Sequence, residues 1–263
     1  MRLKSIRSGR GLGDSIYLES IVRYLIERDG KPLRVASDWP DVFAQHGEMV
    51  QVVPFTRTNI DVLAHYAIRK RCNDSTQFED MCISARIEDQ VELRLDWPAP
   101  KEGIAADLLA DGRPVVLVQL PRSPMGRTDG FGAEILPDCK VIQRVIDQVR
   151  GRFLLVQVGA GKPLHKFDGI DIDLANKTTV RDLLDIGAAC SGVIGYCSFI
   201  LAMAEAMHKP SLMVWSRRGL NSRDVYISQI KPQKIIQYPA LTNYIIDDCN
   251  EFELIGAANA FLQ

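Results

Sequence analysis

The chain has 263 residues, which is enough for one large domain or two of modest size. Its composition, 46% hydrophobic and 25% charged, is ordinary for a globular protein. A net charge of −1 argues against strong non-specific binding to DNA or to a membrane surface, and it leaves a local basic cleft open.

The cysteines and the apolar stretches predict the compartment. The six cysteines form no CxxC pair and have no zinc-like spacing with the four histidines, so we expect buried free thiols in a reducing compartment. The amino-terminal residues carry positive charge without an apolar h-region, and the longest apolar stretch, residues 192–204, is too short for a membrane span. The sequence therefore predicts a cytoplasmic protein with no membrane span.

The first part of the chain alternates predicted strands with predicted helices. A short strand at residues 2–6 leads into the glycine-rich turn SGRGLGDS and a helix at 15–28, with Asp14 at or near its N-cap. The later apolar runs predict strands at 32–36 and 50–54 and helices at 41–46 and 60–70. Residues 71–88 are polar and predict a loop with a short helix, and the alternating residues 91–95 predict an edge or exposed strand.

The run DWPAPKEG at residues 96–103 carries two prolines and a glycine, which indicates a domain boundary. We therefore predict an amino-terminal domain of residues 1–111 and a carboxyl-terminal domain of residues 112–263. Strands are predicted at 115–120, 153–158, 170–174, 192–196, 211–215 and 235–238, and helices at 139–149, 179–189, 199–208 and 251–261. The last helix packs either within the second domain or back against the first.

Strands that alternate with helices in two series predict an α/β fold. The expected architecture is two Rossmann-like, doubly wound units that face each other across a cleft, and a single continuous sheet is the alternative. The most regular unit is residues 192–216, where a helix between two buried strands makes a βαβ motif. Its helix begins at Ser198 and carries Glu205 on the same predicted face. Open α/β sheets bind ligands beyond their strand ends, beside such helix N-termini, so a site is expected here.

Two segments resemble glycosyltransferases of the GT-B architecture, and most closely the ADP-heptose:lipopolysaccharide heptosyltransferase family. The turn RGLGDS (residues 10–15) is similar to that family's Gly-Asp turn near the amino terminus. The segment AEAMHKP (residues 204–210) is similar to its helix end A-x-A-x-G-x-P. Where the family has Asp-Ser-Gly and a following His, this chain has Cys197, Ser198, Phe199 and Ala202, so only the serine is kept. This difference leaves open a different donor or a rebuilt donor site.

The resemblance implies an enzyme that moves a sugar, of hexosyl or heptosyl type, from a nucleotide sugar to an acceptor hydroxyl. It implies inversion at the sugar carbon, no metal and no cofactor besides the nucleotide-sugar substrate. Asp14 matches the position of the catalytic base, and a plain helix cap is the alternative interpretation of the same residue. The neighbouring Gly13 and Arg10 are then expected to bind the acceptor, which is a saccharide or an unusual acceptor such as a modified nucleic-acid base.

Loops that follow the strands of the second domain carry the expected donor site. Basic residues and glycines at strand ends suit a diphosphate. The residues expected to bind the donor here are Arg122, Ser123, Arg127, Gly159, Gly161 and Lys162. Ser198 is expected to contact phosphate, with simple helix capping as its alternative. Glu205 is expected to bind the ribose, with an exposed ion pair to Lys209 as its alternative.

Two other function classes stay open on the same architecture. One is a nucleotide-sugar epimerase or hydrolase, which would act without an acceptor. The other is a non-catalytic nucleotide-sugar-binding module, which the changes at Cys197 and Ala202 favour. The sequence predicts no oligomeric state.

Overall fold

The computed structural model of the chain describes residues 3–56, 59–66, 75–98, 100–122, 135–223 and 230–261. These residues form two separate sheets, of four and six strands, in which neighbouring strands run parallel. Helices pack on the sheets, so the predicted α/β architecture of two Rossmann-like units is confirmed, and the alternative of one continuous sheet is wrong. Within the described ranges, the helices are too short or too polar to cross a membrane.

The first sheet has the strand order β3-β2-β1-β4. Its strands are β1 (Lys4–Arg7), β2 (Leu33–Ala36), β3 (Val50–Val53) and β4 (Val62–Leu63). The accompanying helices are α1 (Leu12–Asp29), a 3-10 helix (Pro40–Met49) and α2 (Gln77–Ser84). Helix α1 ends at Gly30, whose φ of 60° is the left-handed conformation that glycine adopts most easily.

The second sheet has the strand order β10-β9-β8-β5-β6-β7. Its strands are β5 (Val115–Gln119), β6 (Leu154–Val158), β7 (Ile172–Asp173), β8 (Gly192–Gly195), β9 (Ser211–Trp215) and β10 (Thr242–Ile246). The helices of this part are α3 (Ile104–Leu109), α4 (Cys139–Val149), α5 (Val180–Ala189), α6 (Phe199–Ala206), α7 (Arg217–Asn221), α8 (Pro232–Ile235) and α9 (Glu251–Ala260).

Each sheet has a point at which the direction of strand addition reverses. In chain order, the six strands of the second sheet lie as 6-5-4-1-2-3, which is the Rossmann order, and the reversal falls between β5 and β8. The first sheet shows the same reversal between β1 and β4. Because open α/β sheets bind ligands beyond the strand ends at such points, these two places are where a site is expected.

The two units meet through α1 and α6, which pack directly against each other. The contact is close because Gly13 has no side chain: a Cβ there would lie 3.3 Å from the Cα of Phe199 and 3.6 Å from the Cβ of Ala202. One apolar cluster runs through this contact, from Ile6 in the first sheet to Leu117 in the second. The other face of the second sheet packs with α4 and α9 in a separate cluster.

Several predicted elements are wrong. No helix forms in the described part of residues 60–70, where the short strand β4 lies instead. Residues 91–95 form no strand; Leu93 and Leu95 are buried and the N–H of Leu95 donates to the carbonyl of Ala206. The predicted strand at 235–238 is wrong, because α8 covers Pro232–Ile235 and the N–H groups of Gln237 and Tyr238 bond to the buried carboxylate of Glu205. The strand β10 was not predicted.

The division of the chain at residue 111 stays a prediction. The segment between the two sheets packs on helices of the second one, since Trp97 Nε1 donates to Asp185 of α5 at 2.6 Å and α3 contacts the same helix. The terminal helix α9 packs on α4 and β10. It thus lies with the second unit.

Candidate functional site

A cavity of about 470 Å³ lies between the two units, where their strand ends face each other. From the first unit it is lined by the turn that follows β1 and by Tyr66, which follows β4. From the second unit it is lined by Gln119, the last residue of β5, and by residues 196–198, which follow β8. Both reversal points therefore open into one cavity, which is the arrangement that a ligand shared by the two units requires.

Asp14 faces the cavity from the first turn of α1. Helix α1 begins earlier than predicted, so Gly11 is the N-cap and Asp14 is the third helical residue. Its Oδ2 accepts a hydrogen bond from the N–H of Gly11 at 3.0 Å, and the side chain of Tyr66 also hydrogen-bonds the carboxylate. The carboxylate leaves no room at Gly9, where a Cβ would lie 2.5 Å from Oδ2.

The environment of Asp14 changes its acidity. Burial raises the pKa of Asp14 from 3.8 to about 6, although the hydrogen bonds from Gly11 and Tyr66 act in the opposite direction. A carboxylate with this pKa is ionised at neutral pH and is more basic than an exposed aspartate. It can therefore accept a proton from a hydroxyl group bound in the cavity.

The wall of the cavity around Asp14 is aromatic and polar. Tyr17, Trp39 and Tyr66 contribute rings, while Gln77 and Asp80 of α2 contribute hydrogen-bonding groups. Trp39 is held by a 2.8 Å hydrogen bond from its Nε1 to the carbonyl of Arg10. Tyr66 and Trp39 were not predicted from the sequence, because Tyr66 lies in a segment wrongly predicted as helix and Trp39 lies in a loop without a recognisable motif.

On the opposite wall, Gln119 fixes the turn between β8 and α6. Its Oε1 accepts a hydrogen bond from the N–H of Tyr196 at 3.2 Å, and its Nε2 donates to the hydroxyl of Ser198. Ser198 is the N-cap residue of α6, yet its hydroxyl caps no backbone N–H, unlike Thr179 at the start of α5. The first N–H groups of α6 consequently lack a side-chain cap and can meet an anionic ligand. Gln119 was recognisable as the one polar residue of an apolar strand.

The charges that line the cavity are segregated between the two units. Among the described lining residues, the cations are Arg122 and Lys234 of the second unit, and the carboxylates are Asp14 and Asp80 of the first. Arg122 is also tied to the loop after β6 by a 3.3 Å hydrogen bond from Nη1 to the carbonyl of Ala160. A ligand that carries both a negatively charged phosphate and hydroxyl groups suits this set of charges.

The residues proposed for the donor site fall into three groups. Arg122, Gly159 and Ser198 line the cavity. Gly161 and Lys162 are not among the described lining residues; the N–H of Gly161 bonds to Asn176 and Lys162 is exposed. Ser123 and Arg127 lie outside the described residues.

Glu205 does not have the surroundings that the sequence indicated. It is fully buried rather than exposed on a helix face, and it is not among the described lining residues. Its Oε1 accepts hydrogen bonds from the backbone of Gln237 and Tyr238, and Lys209 donates to the carbonyl of Ala188. The geometry thus corrects both the ribose contact and the exposed ion pair.

The two residues predicted to bind the acceptor differ in position. Gly13 lines the cavity, and α6 occupies the space beside it. Arg10 is exposed, forms an ion pair with Asp38, lies over the ring of Phe55, and is not among the described lining residues. In the described part of the chain, no three His, Cys, Asp or Glu side chains come together as a metal site would require.

Comparison with known proteins identifies the fold. A scan against protein-family models finds no match, and a search of curated proteins finds none either. Among solved structures, a glycosyl transferase family 9 protein from Veillonella parvula superposes with a TM-score of 0.64 at 10% identity, over 94% of this chain and 87% of that one. E. coli ADP-heptose LPS heptosyltransferase II gives 0.52 at 12% identity, over 98% of both chains.

The iron-containing, dodecameric heptosyltransferase TibC, in complex with ADP-D-beta-D-heptose, superposes with a TM-score of 0.59 at 13% identity over 95% of this chain. The chain spans 65% and 59% of the chain in two TibC structures. At these identities the likeness shows the fold, which is the GT-B fold of two Rossmann-like units facing a cleft.

Proposed function

We propose that the protein is a glycosyltransferase that moves a sugar from a nucleoside diphosphate sugar to an acceptor hydroxyl with inversion of configuration. The observation that carries this proposal is the position of Asp14. Its carboxylate, with a pKa raised to about 6, faces a cavity into which the strand ends of both units open. The architecture of heptosyltransferases supports it, since these enzymes have the same fold.

In the proposed reaction, Asp14 removes the proton of the acceptor hydroxyl as its oxygen attacks the anomeric carbon of the donor. A new carbon–oxygen bond forms on one face while the bond to the diphosphate breaks on the other, which inverts the carbon. The leaving diphosphate carries the negative charge away from the sugar. Arg122, Lys234 and the uncapped start of α6 would stabilise that charge.

The wall beside Asp14 supports a saccharide acceptor. The rings of Trp39 and Tyr66 offer flat apolar surfaces for a sugar face, and Gln77 and Asp80 offer partners for its hydroxyl groups. Free thiols at the described cysteines Cys82, Cys139, Cys190, Cys197 and Cys249 suit a reducing compartment, which we propose is the cytoplasm.

The first experiment is a thermal-shift screen of the full chain against ADP, UDP, GDP, CMP and dTDP, with and without magnesium. A ligand at a hundredfold over its Kd adds about 2.7 kcal/mol of stability, which is readily measured. Stabilisation by one of these nucleotides supports the proposal and identifies the donor class. The absence of any shift contradicts it.

Transfer is then measured with the matching nucleotide sugar and a panel of saccharide and nucleic-acid acceptors. Asp14→Asn should retain nucleotide binding and lose transfer by about 10²–10⁴-fold, the usual contribution of a general base. Glu253→Gln is the matched control: Glu253 is also the third residue of its helix and accepts the N–H of Asn250. Release of nucleotide without an acceptor would indicate a hydrolase, and binding without turnover a non-catalytic module.

A further inference from the structure

A buried carboxylate outside the cavity supports one of the cavity walls. Glu205 of α6 is fully buried, and its Oε1 accepts hydrogen bonds from the N–H of Gln237 at 2.8 Å and of Tyr238 at 3.1 Å. The hydroxyl of Thr242, at the start of β10, lies 3.4 Å from the same oxygen. The other oxygen, Oε2, is buried with no hydrogen-bond partner among the described residues.

The backbone that Glu205 holds lies in the second unit, and its side chains contact the first half of the chain. Residues 236–238, here called the strap, follow α8 directly. The side chain of Gln237 accepts a hydrogen bond from the hydroxyl of Thr76, the N-cap of α2. The hydroxyl of Tyr238 donates to the carbonyl of Leu93 at 3.0 Å. The ring of His208 packs edge-on against the ring of Tyr238.

The strap connects two neighbouring parts of the cavity wall, α8 and α2, which contact each other. On one side it continues α8, whose Lys234 and Ile235 line the cavity. On the other it contacts Thr76, which is followed by the lining residues Gln77 and Asp80 of α2. Its position therefore sets how far α8 lies from α2, and with that the width of the cavity at this end.

We propose that Glu205 is a positioning residue: by holding the strap with its ionised carboxylate, it keeps α8 and α2 at the separation that binds the nucleotide donor. This proposal rests on the proposed function of the cavity. It assigns to Glu205 an action through the strap instead of contact with the ligand.

The surroundings make Glu205 sensitive to pH in the neutral range. The titratable groups that face it are Tyr17 of α1, Cys197 and Tyr238, and burial raises the pKa of each of them, so they are neutral between pH 6 and 8. Burial also raises the pKa of Glu205, to about 7. A carboxylate accepts stronger hydrogen bonds than a neutral acid does, so the strap is held more firmly above this pH than below it.

The test compares Glu205→Gln with the wild-type protein by the ratio of their Kd values for the nucleoside diphosphate found in the screen. The titration of the ligand itself cancels in this ratio. Because a charge-assisted hydrogen bond is roughly twice as strong as a neutral one, we expect the variant to bind about fivefold more weakly at pH 8 and nearly equally at pH 6. A ratio that is the same at both pH values, which a purely structural role would give, overturns the proposal.

A second readout needs no ligand and separates this proposal from the proposed function. Amide hydrogen exchange of the peptide that contains the strap should be faster in Glu205→Gln than in the wild type at pH 8. Tyr238→Phe, which removes only the hydrogen bond to Leu93, should loosen the strap to the same extent at pH 6 and pH 8. If Glu205→Gln does not fold, Gln237→Ala tests the contact with Thr76, and unchanged exchange in that variant overturns the proposal.

Discussion

Asp14→Asn should make the protein more stable while it lowers the rate of transfer by about 10²–10⁴-fold. Burial raises the pKa of Asp14 by about two units, and each unit corresponds to about 1.4 kcal/mol between the charged and neutral forms. Because the folded pKa lies above the unfolded one, the stability that this group contributes is present at low pH and is lost as the pH rises from about 4 to 6. The neutral amide has no such penalty, and it can still accept the N–H of Gly11.

The linkage gives the size of the effect at each pH. At pH 8 the ionised Asp14 costs roughly 3 kcal/mol of folding free energy, and at pH 5 about half of that, because the folded group is then mostly protonated. Asp14→Asn should therefore raise the melting temperature by several degrees at pH 8 and by less at pH 5. The assay is thermal unfolding at the two pH values, together with initial rates of transfer.

The control variant should change stability in the opposite direction. Glu253 makes the same type of hydrogen bond at the start of α9, but its side chain is exposed. Glu253→Gln removes a favourable charge from a helix N-terminus and should cost about 0.5 kcal/mol. If Asp14→Asn is less stable than the wild type at pH 8, Asp14 is an ordinary capping residue and the reasoning from burial is refuted.

Three further predictions concern pH, packing and capping. The kcat/KM for transfer should fall about tenfold per pH unit below pH 6, because protonated Asp14 cannot act as a base; a profile that is flat down to pH 5 would exclude it. Gly13→Val should cost about 1–3 kcal/mol of unfolding free energy because its side chain meets α6, whereas Gly256→Val, in open space on α9, should cost nothing measurable; chemical denaturation compares them. Ser198→Ala should weaken nucleotide binding about two- to tenfold and cost about 1–3 kcal/mol of unfolding free energy, because the buried amide of Gln119 loses its acceptor; Thr179→Ala, which removes a helix cap, should cost about 1 kcal/mol, and an unchanged stability of Ser198→Ala would contradict this role of the hydroxyl.

The regular elements were predictable wherever the apolar pattern was long and local. The helix at residues 139–149 and the strand at 211–215 have the predicted bounds. Periodicity failed where tertiary contacts decide the backbone. Residues 91–95 alternate like a strand, yet they form none: the N–H of Arg94 bonds to the hydroxyl of Ser20, and the N–H of Leu95 bonds to α6.

The site was predictable in part, because its position follows from strand order and its members do not. The turn at Asp14 and the start of α6 at Ser198 lie at strand ends, where a parallel sheet binds ligands. Helical spacing placed Glu205 on the same face as Ser198, but periodicity carries no information about the segment 236–238 that covers this carboxylate. Tyr66, which follows β4, hydrogen-bonds Asp14 although it lies far from it along the chain, and no local sequence pattern predicts such a contact.

The close packing of α1 on α6 has a mechanical consequence. Gly13 lies next to Asp14 and touches Phe199, which follows Ser198, so the aspartate and the turn before α6 lie beside this close contact between the units. Because no side chain separates the two backbones here, the two units have little freedom to shift against each other at this point. The separation between Asp14 and the start of α6 is therefore fixed by backbone packing, and a larger side chain at residue 13 would change it.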